Sequence, residues 1–187
     1  SYQHILVAVD GSPTSDHAVA QATSLAQSTG GRIRLLNVMD PVAHISGFEQ
    51  PEVYSQEVLP RLRKAGEALL HQAQERVAQR GVPVDTVLIE NLDARVAQLV
   101  VEHAQAWGAD LIVLGTHGRR GLARVLMGSD AEQIARTAPV PVLLVRLPAG
   151  ANVAASALAR PTVERMLAQQ VDGIVLAIAS REDPLVD

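Results

Sequence analysis

The strongest constraint on this chain is an alternation in which short, unbroken apolar runs ended by turns trade places with longer stretches whose apolar residues recur at helical spacing. Ile5-Leu6-Val7-Ala8-Val9 runs into Asp10-Gly11-Ser12-Pro13, the pattern of a strand buried on both faces and followed by a turn. Helical periodicity begins at once with Ala18, Ala22, Leu25 and Ala26, and Gly30-Gly31 stops it. Ser12 reads as the N-cap of that helix, ahead of Pro13 at its first position. Residues 33–38 read as a second strand, and a loop with Pro41, Gly47 and Pro51 follows to about residue 56. Leu62, Gly66, Leu69, Leu70, Ala73 and Val77 mark a second helix, ended by Gly81. A third strand covers 84–89, and Asp93 is expected to cap a helix with an apolar face of Val96, Leu99, Val100, Ala104 and Trp107. Leu111-Ile112-Val113-Leu114 is the fourth strand, a helix runs from about Ser129 to Thr137, and the fifth strand, 140–145, is bounded by Val140 and Val145.

Such an alternation predicts right-handed βαβ units and so an α/β fold: a single doubly wound, five-stranded parallel sheet with helices on both faces. With 187 residues the chain has room for one such domain, 1–147, and an appendage. That C-terminal extension, 148–187, holds an Ala-rich stretch, a short helix candidate at 162–170 and an apolar run from Ile174 to Ala179. Too short for a domain, it is expected to pack on the sheet edge or on a partner subunit.

Composition narrows the function. The net charge of −4 provides no basic field for a duplex, and Trp107, Phe48, Tyr2 and Tyr54 are too few for a base-stacking platform, which argues against nucleic acid as a partner. There is no cysteine, so thiol and zinc-thiolate chemistry are excluded and a reducing compartment fits. No apolar stretch approaches membrane-spanning length and no basic segment opens the chain, so a cytoplasmic protein without a membrane partner is expected. The histidines at 4, 17, 44, 71, 103 and 117 lack metal-ligand spacing, and no metal site is expected from them.

Ligands of doubly wound sheets sit beyond the carboxyl ends of the strands, where the strand order reverses. Two strand ends carry unusual loops here: Asp10-Gly11-Ser12 after the first, and Gly115-Thr116-His117-Gly118-Arg119-Arg120-Gly121, continuing to Gly128-Ser129, after the fourth. For both loops to serve one site the first and fourth strands must be neighbours, which gives the order 3-2-1-4-5. The second loop holds Arg119, Arg120 and Arg124 and no acid, in a chain that is acidic overall. Its glycines let backbone N–H groups approach an anion, and the helix that starts at Gly128-Ser129 offers its dipole to a phosphate. Ser129 and Glu132 also have capping-box spacing.

Gly115, two residues, Gly118, nine residues, then Gly128-Ser129 resembles the glycine motif of ATP-binding universal stress proteins, and Val7-Ala8-Val9-Asp10-Gly11-Ser12 is similar to their opening strand and turn. The resemblance covers residues 1 to about 147. It implies that backbone at Ala8, Val38 and Leu114 lines an adenine, that Asp10 and Gly115 lie near the ribose, and that Gly118, Arg119, Gly128, Ser129 and the backbone of Asp130 hold the phosphates. Position 130 is usually apolar in that family. The carboxylate of Asp130 either complements the helix dipole, ligates Mg²⁺ together with the phosphates, or weakens ATP binding.

An ATP-binding stress or signalling module is therefore the expected function, with a slow ATPase or phosphotransferase as the alternative. Against catalysis stand the missing GxxxxGK[ST] loop, the absence of lysine from the glycine loop and the lack of a positioned base, so no catalytic residues are expected. A receiver-like switch fits less well, because the third strand ends Ile89-Glu90-Asn91 rather than in a phosphoacceptor aspartate. The fifth strand would lie at a sheet edge. Related stress proteins dimerise through that strand, which implies a homodimer through 140–145 with the extension covering part of the interface.

Overall fold

The computed structural model describes residues 1–39, 59–90, 94–116 and 128–147 and the strand at 174–177. In chain order the elements are β1 (His4–Ala8), α1 (Pro13–Thr29), β2 (Arg32–Met39), α2 (Leu59–Ala78), β3 (Val84–Glu90), α3 (Val96–Trp107), β4 (Leu111–Gly115), α4 (Ser129–Thr137), β5 (Val142–Val145) and β6 (Ile174–Ala177). The first five strands are parallel in the expected order 3-2-1-4-5. β6 adds to the β5 edge, antiparallel, with Val145 opposite Ile174 and Val142 opposite Ala177, so among the described residues the sheet has six strands and β5 is not its edge.

Alternate side chains along each inner strand feed two cores. Ile5, Val7, Ile33, Leu35, Leu111 and Val113 pack with Ala18, Ala22, Leu70 and Val77 of α1 and α2. Leu6, Leu36, Ile112, Leu114 and Leu144 face the other way, onto Val100, Ala104 and Ile134 of α3 and α4. Burial on both faces is why these strands read as unbroken apolar runs.

Helix ends follow the sequence in part. Ser12 caps α1, its side chain accepting from the N–H of Ser15, and Gly30 closes the helix at φ +70°. Two expected caps differ. The N-cap of α3 is Arg95, which makes no side-chain cap bond, while Asp93 lies outside the described residues. The N-cap of α4 is Gly128, in extended backbone, which makes Ser129 the first helical residue and rules out the Ser129–Glu132 box. The fifth strand is shorter than expected, starting at Val142, because Pro141 has no N–H to give the ladder; its carbonyl accepts from Ile112 at 3.0 Å. Of the loop expected at 39–56, Met39 belongs instead to β2, and residues 40–56, like the helix candidate at 162–170, lie outside the described residues.

Candidate functional site

β1 pairs with β2 on one side and β4 on the other, with Ile5 opposite Leu111 and Val7 opposite Val113. The carboxyl ends of β1 and β4 are therefore neighbours, and Ala8, Asp10, Leu114 and Gly115 come together there. Val38 stands at the same end of β2.

The turn after β1 is fixed by its own polar groups. Gly11 takes φ +78°, a backbone that a side chain would strain. The N–H of Ser12 donates to Asp10 Oδ1 at 2.9 Å, an Asx turn, and the N–H of Asp10 donates to Ser15 Oγ at 3.1 Å. Ser12 Oγ accepts from the N–H of Ser15 at 3.2 Å and shares a hydrogen bond with Thr14 Oγ1 at 3.1 Å. Ser12, Thr14 and Ser15 are all buried, so Asp10 is presented on an immobilised platform of hydroxyls while staying half-buried itself.

Gly115 is explained by packing. A Cβ there would stand 2.8 Å from Thr14 Oγ1 and 2.9 Å from the Thr14 carbonyl carbon, so β4 reaches the start of α1 only without a side chain at this position. Gly128 is a different case. Its φ of −62° suits any residue, and among the described residues a Cβ would meet only the Thr116 carbonyl, at 3.5 Å, an ordinary contact.

Thr116 ties the second half together. Its N–H donates to the Val145 carbonyl at 2.9 Å, and its own carbonyl accepts from Gly128 at 2.8 Å. Thr116 and Gly128 thus meet beside β4, and α4 starts at the sheet's carboxyl edge. The first intrahelical bond runs from the Glu132 N–H to the Gly128 carbonyl at 2.9 Å, and the N-cap residue, a glycine, makes no side-chain cap bond. The first N–H groups of α4 have no partner within the helix. Ser129 and Asp130 are exposed, and Asp130 and Glu132 put two acids in that first turn. Gly118 and Arg119, with His117, Arg120 and Arg124, lie outside the described residues.

Sequence reasoning passed over Thr14, Ser15, Thr116 and Asn37. The first two were visible as hydroxyls crowding the turn after Asp10, and Asn37 as an amide in a strand that is otherwise apolar at its carboxyl half. Among the described residues no group of three or more His, Asp or Glu side chains is arranged to hold a metal, and no helix is long and apolar enough to cross a membrane.

A doubly wound parallel sheet whose strand order reverses between β1 and β4 defines an open α/β sheet domain. The chain belongs to the universal stress protein family, whose model matches residues 1–146. It is 34% identical over 145 residues to a universal stress protein of Thermus aquaticus, an alignment that spans 78% of this chain and 99% of that one. A universal stress protein family member from Burkholderia pseudomallei has the same fold, with a TM-score of 0.61 and 33% identity over 77% of this chain and 96% of that one. A universal stress protein solved in complex with cAMP superposes with a TM-score of 0.55 at 24% identity, over 78% of this chain and 98% of the other. The extension beyond residue 146 falls outside the family match.

Proposed function

We propose that this protein is a nucleotide-binding stress-response or signalling module that holds ATP between the β1 turn and the start of α4. The observation that carries the reading is the hydrogen bond from Gly128 to the Thr116 carbonyl, 2.8 Å, which sets the N-terminal end of a helix beside the strand ends that carry Asp10 and Gly115. The residues fit an adenine nucleotide: backbone at Ala8, Val38 and Leu114 for the base, Asp10 and Gly115 for the ribose, and Gly128, Ser129 and Asp130, with Gly118 and Arg119 from the glycine loop, for the phosphates. Gly128, which packing among the described residues does not require, marks the point of closest approach. The relative solved with cAMP supports an adenine nucleotide as the ligand class. Mg²⁺ would enter with the triphosphate.

In this reading the protein acts in the cytoplasm through partners and as a homodimer, residues 1–147 forming the nucleotide domain and 148–187 an extension over part of the interface. Mass spectrometry of the nucleotide released by denaturing freshly purified protein should identify ATP, and calorimetry should show binding that Gly118→Val abolishes. Release of cAMP instead of ATP would change the ligand, and wild-type affinity in a folded Gly118→Val variant would remove the glycine loop from the site.

A further inference from the structure

β1 stops pairing with β2 in regular fashion after Ala8, whose partner is Leu36. Val9 lies just beyond, buried, and both of its backbone groups must still find partners. Its N–H donates to the Leu36 carbonyl at 2.8 Å. Its carbonyl accepts from a side chain, Asn37 Nδ2, at 2.6 Å, rather than from the ladder. Asn37 is only 9% exposed, and its carboxamide stands in for a strand at the point where the chain turns away toward Asp10 and Gly11. Because the acceptor is a carbonyl, the amide must present its NH₂ to Val9 and its oxygen the other way.

That oxygen lies against α2. A Cβ built on Gly66 would stand 2.9 Å from Asn37 Oδ1 and 2.8 Å from Leu88 Cδ1, so the helix approaches the amide closely only because position 66 is glycine. One turn along, Leu69 Cδ1 is 3.1 Å from where a Cβ on Gly11 would be, so the same helix also rests on the β1 turn. Asn37 is thus held from behind by α2 and holds Val9 in front.

We propose that Asn37 is a positioning residue of the nucleotide site: through the Val9 carbonyl it fixes where β1 ends and hence the direction in which Asp10 is presented, with Gly66 of α2 as its backstop. This rests on the nucleotide reading above. Asn37→Leu keeps nearly the same volume and removes the donor, leaving the Val9 carbonyl without it. The amide resonances of Asp10, Gly11 and Ser12 should shift in the folded variant, and the Kd for ATP should rise about tenfold, a typical loss when the partner orienting a ligand-contacting residue is removed. In an Asp10→Ala background, Asn37→Leu should bring no further loss, because its effect passes through Asp10. Should Asn37→Leu fail to fold, Asn37→Ser and Gly66→Ala carry the same measurements from either side of the contact. Unshifted turn resonances in any folded variant, or losses that multiply with Asp10→Ala, would overturn the proposal. A wild-type protein that binds no nucleotide would instead sink the functional reading, while the resonances still report whether Asn37 holds the turn.

Discussion

Arg34 on β2 and Asp85 on β3 are register partners in the parallel ladder and close a two-point ion pair, Arg34 Nε and Nη2 donating to the two carboxylate oxygens at 2.8 and 2.7 Å. The guanidinium also lies over the Trp107 ring, 4.6 Å from its centre, and the His4 ring is tilted against the same indole, with ring centres 5.3 Å apart. The hydrogen bond from Arg34 holds the Asp85 carboxyl below the ordinary carboxylate range, partly opposed by burial. This cluster stands at the amino ends of the strands, opposite the candidate site, and its consequences are for stability.

Arg34→Lys keeps the charge but loses the planar fork, and Asp85→Ala leaves a guanidinium whose side chain is only 21% exposed without its acceptor. Asp85→Ala should cost about 1.5 to 3 kcal/mol, the range for hydrogen bonds to charged groups. Arg34→Lys should lie between it and wild type. Urea denaturation with unchanged m-value measures both, and a loss below the fitting error would show that the pair contributes nothing.

Beside that pair sits His103, whose Nε2 is buried with no hydrogen-bond partner among the described residues. Burial lowers its pKa below 6.5, the Arg34 charge lowers it further, and Asp85 pulls it back up in part. His17 on α1 is lowered by burial as well. A depressed imidazole takes up its proton more readily in the unfolded chain, so its stability contribution is present above the unfolded value and is lost as pH falls through about 6.5 toward the folded one. Stability should therefore decline between about pH 7.5 and 5.5, before carboxylates such as Asp85 titrate. His103→Leu should flatten part of that decline in denaturation midpoints measured across the range, and an identical slope would exonerate His103.

What the sequence made legible follows from how locally each feature is determined. The parallel order was readable because strands buried on both faces are apolar throughout, and because two specialised loops had to meet. Gly128 and Ser129 could not be told apart as caps, since both tolerate extended backbone, and the choice fell to the contact with Thr116. The Arg34–Asp85 pair needs a register that residue spacing does not reveal. β6 had the apolar composition of a strand, yet its direction and partner depend on the path of a connection that spans residues 146–173.

Gly115 offers a test of close packing at the site that does not involve a ligand. A methyl group there would press on the Thr14 backbone, which cannot swing aside as a flexible side chain would. Gly115→Ala should destabilise the protein by about 1 to 3 kcal/mol, as overpacked sites do. Thermal unfolding checks this, and a neutral substitution would mean that α1 and β4 are held less tightly than the distances imply.

Asp130 gives the nucleotide reading a sign. Its carboxylate is exposed at the first turn of α4, on the end of the helix where a phosphate would bind. Two unit charges 4 Å apart in water repel by about 1 kcal/mol. Asp130→Asn should therefore tighten magnesium-free ATP binding by roughly fivefold in calorimetry. Weaker binding confined to the magnesium complex would assign the carboxylate to the cation instead.

Assembly is decided at β5, because the strand proposed to pair with a second copy already has a neighbour. β6 occupies its outer side over residues 142–145, so two intact chains can meet there only through the outer side of β6 or by exchanging β6 between copies. An exposed strand edge invites pairing, and a closed two-fold arrangement satisfies both edges at once. The full chain is expected to be a homodimer, with the extension contributing to the contact. Deleting 148–187 removes β6 and leaves the β5 backbone open, so the truncated chain should form a dimer of lower stability or larger aggregates, as read by light scattering over a dilution series. An unchanged, equally stable dimer would show the extension to be dispensable, and a monomeric full-length chain would end the dimer proposal.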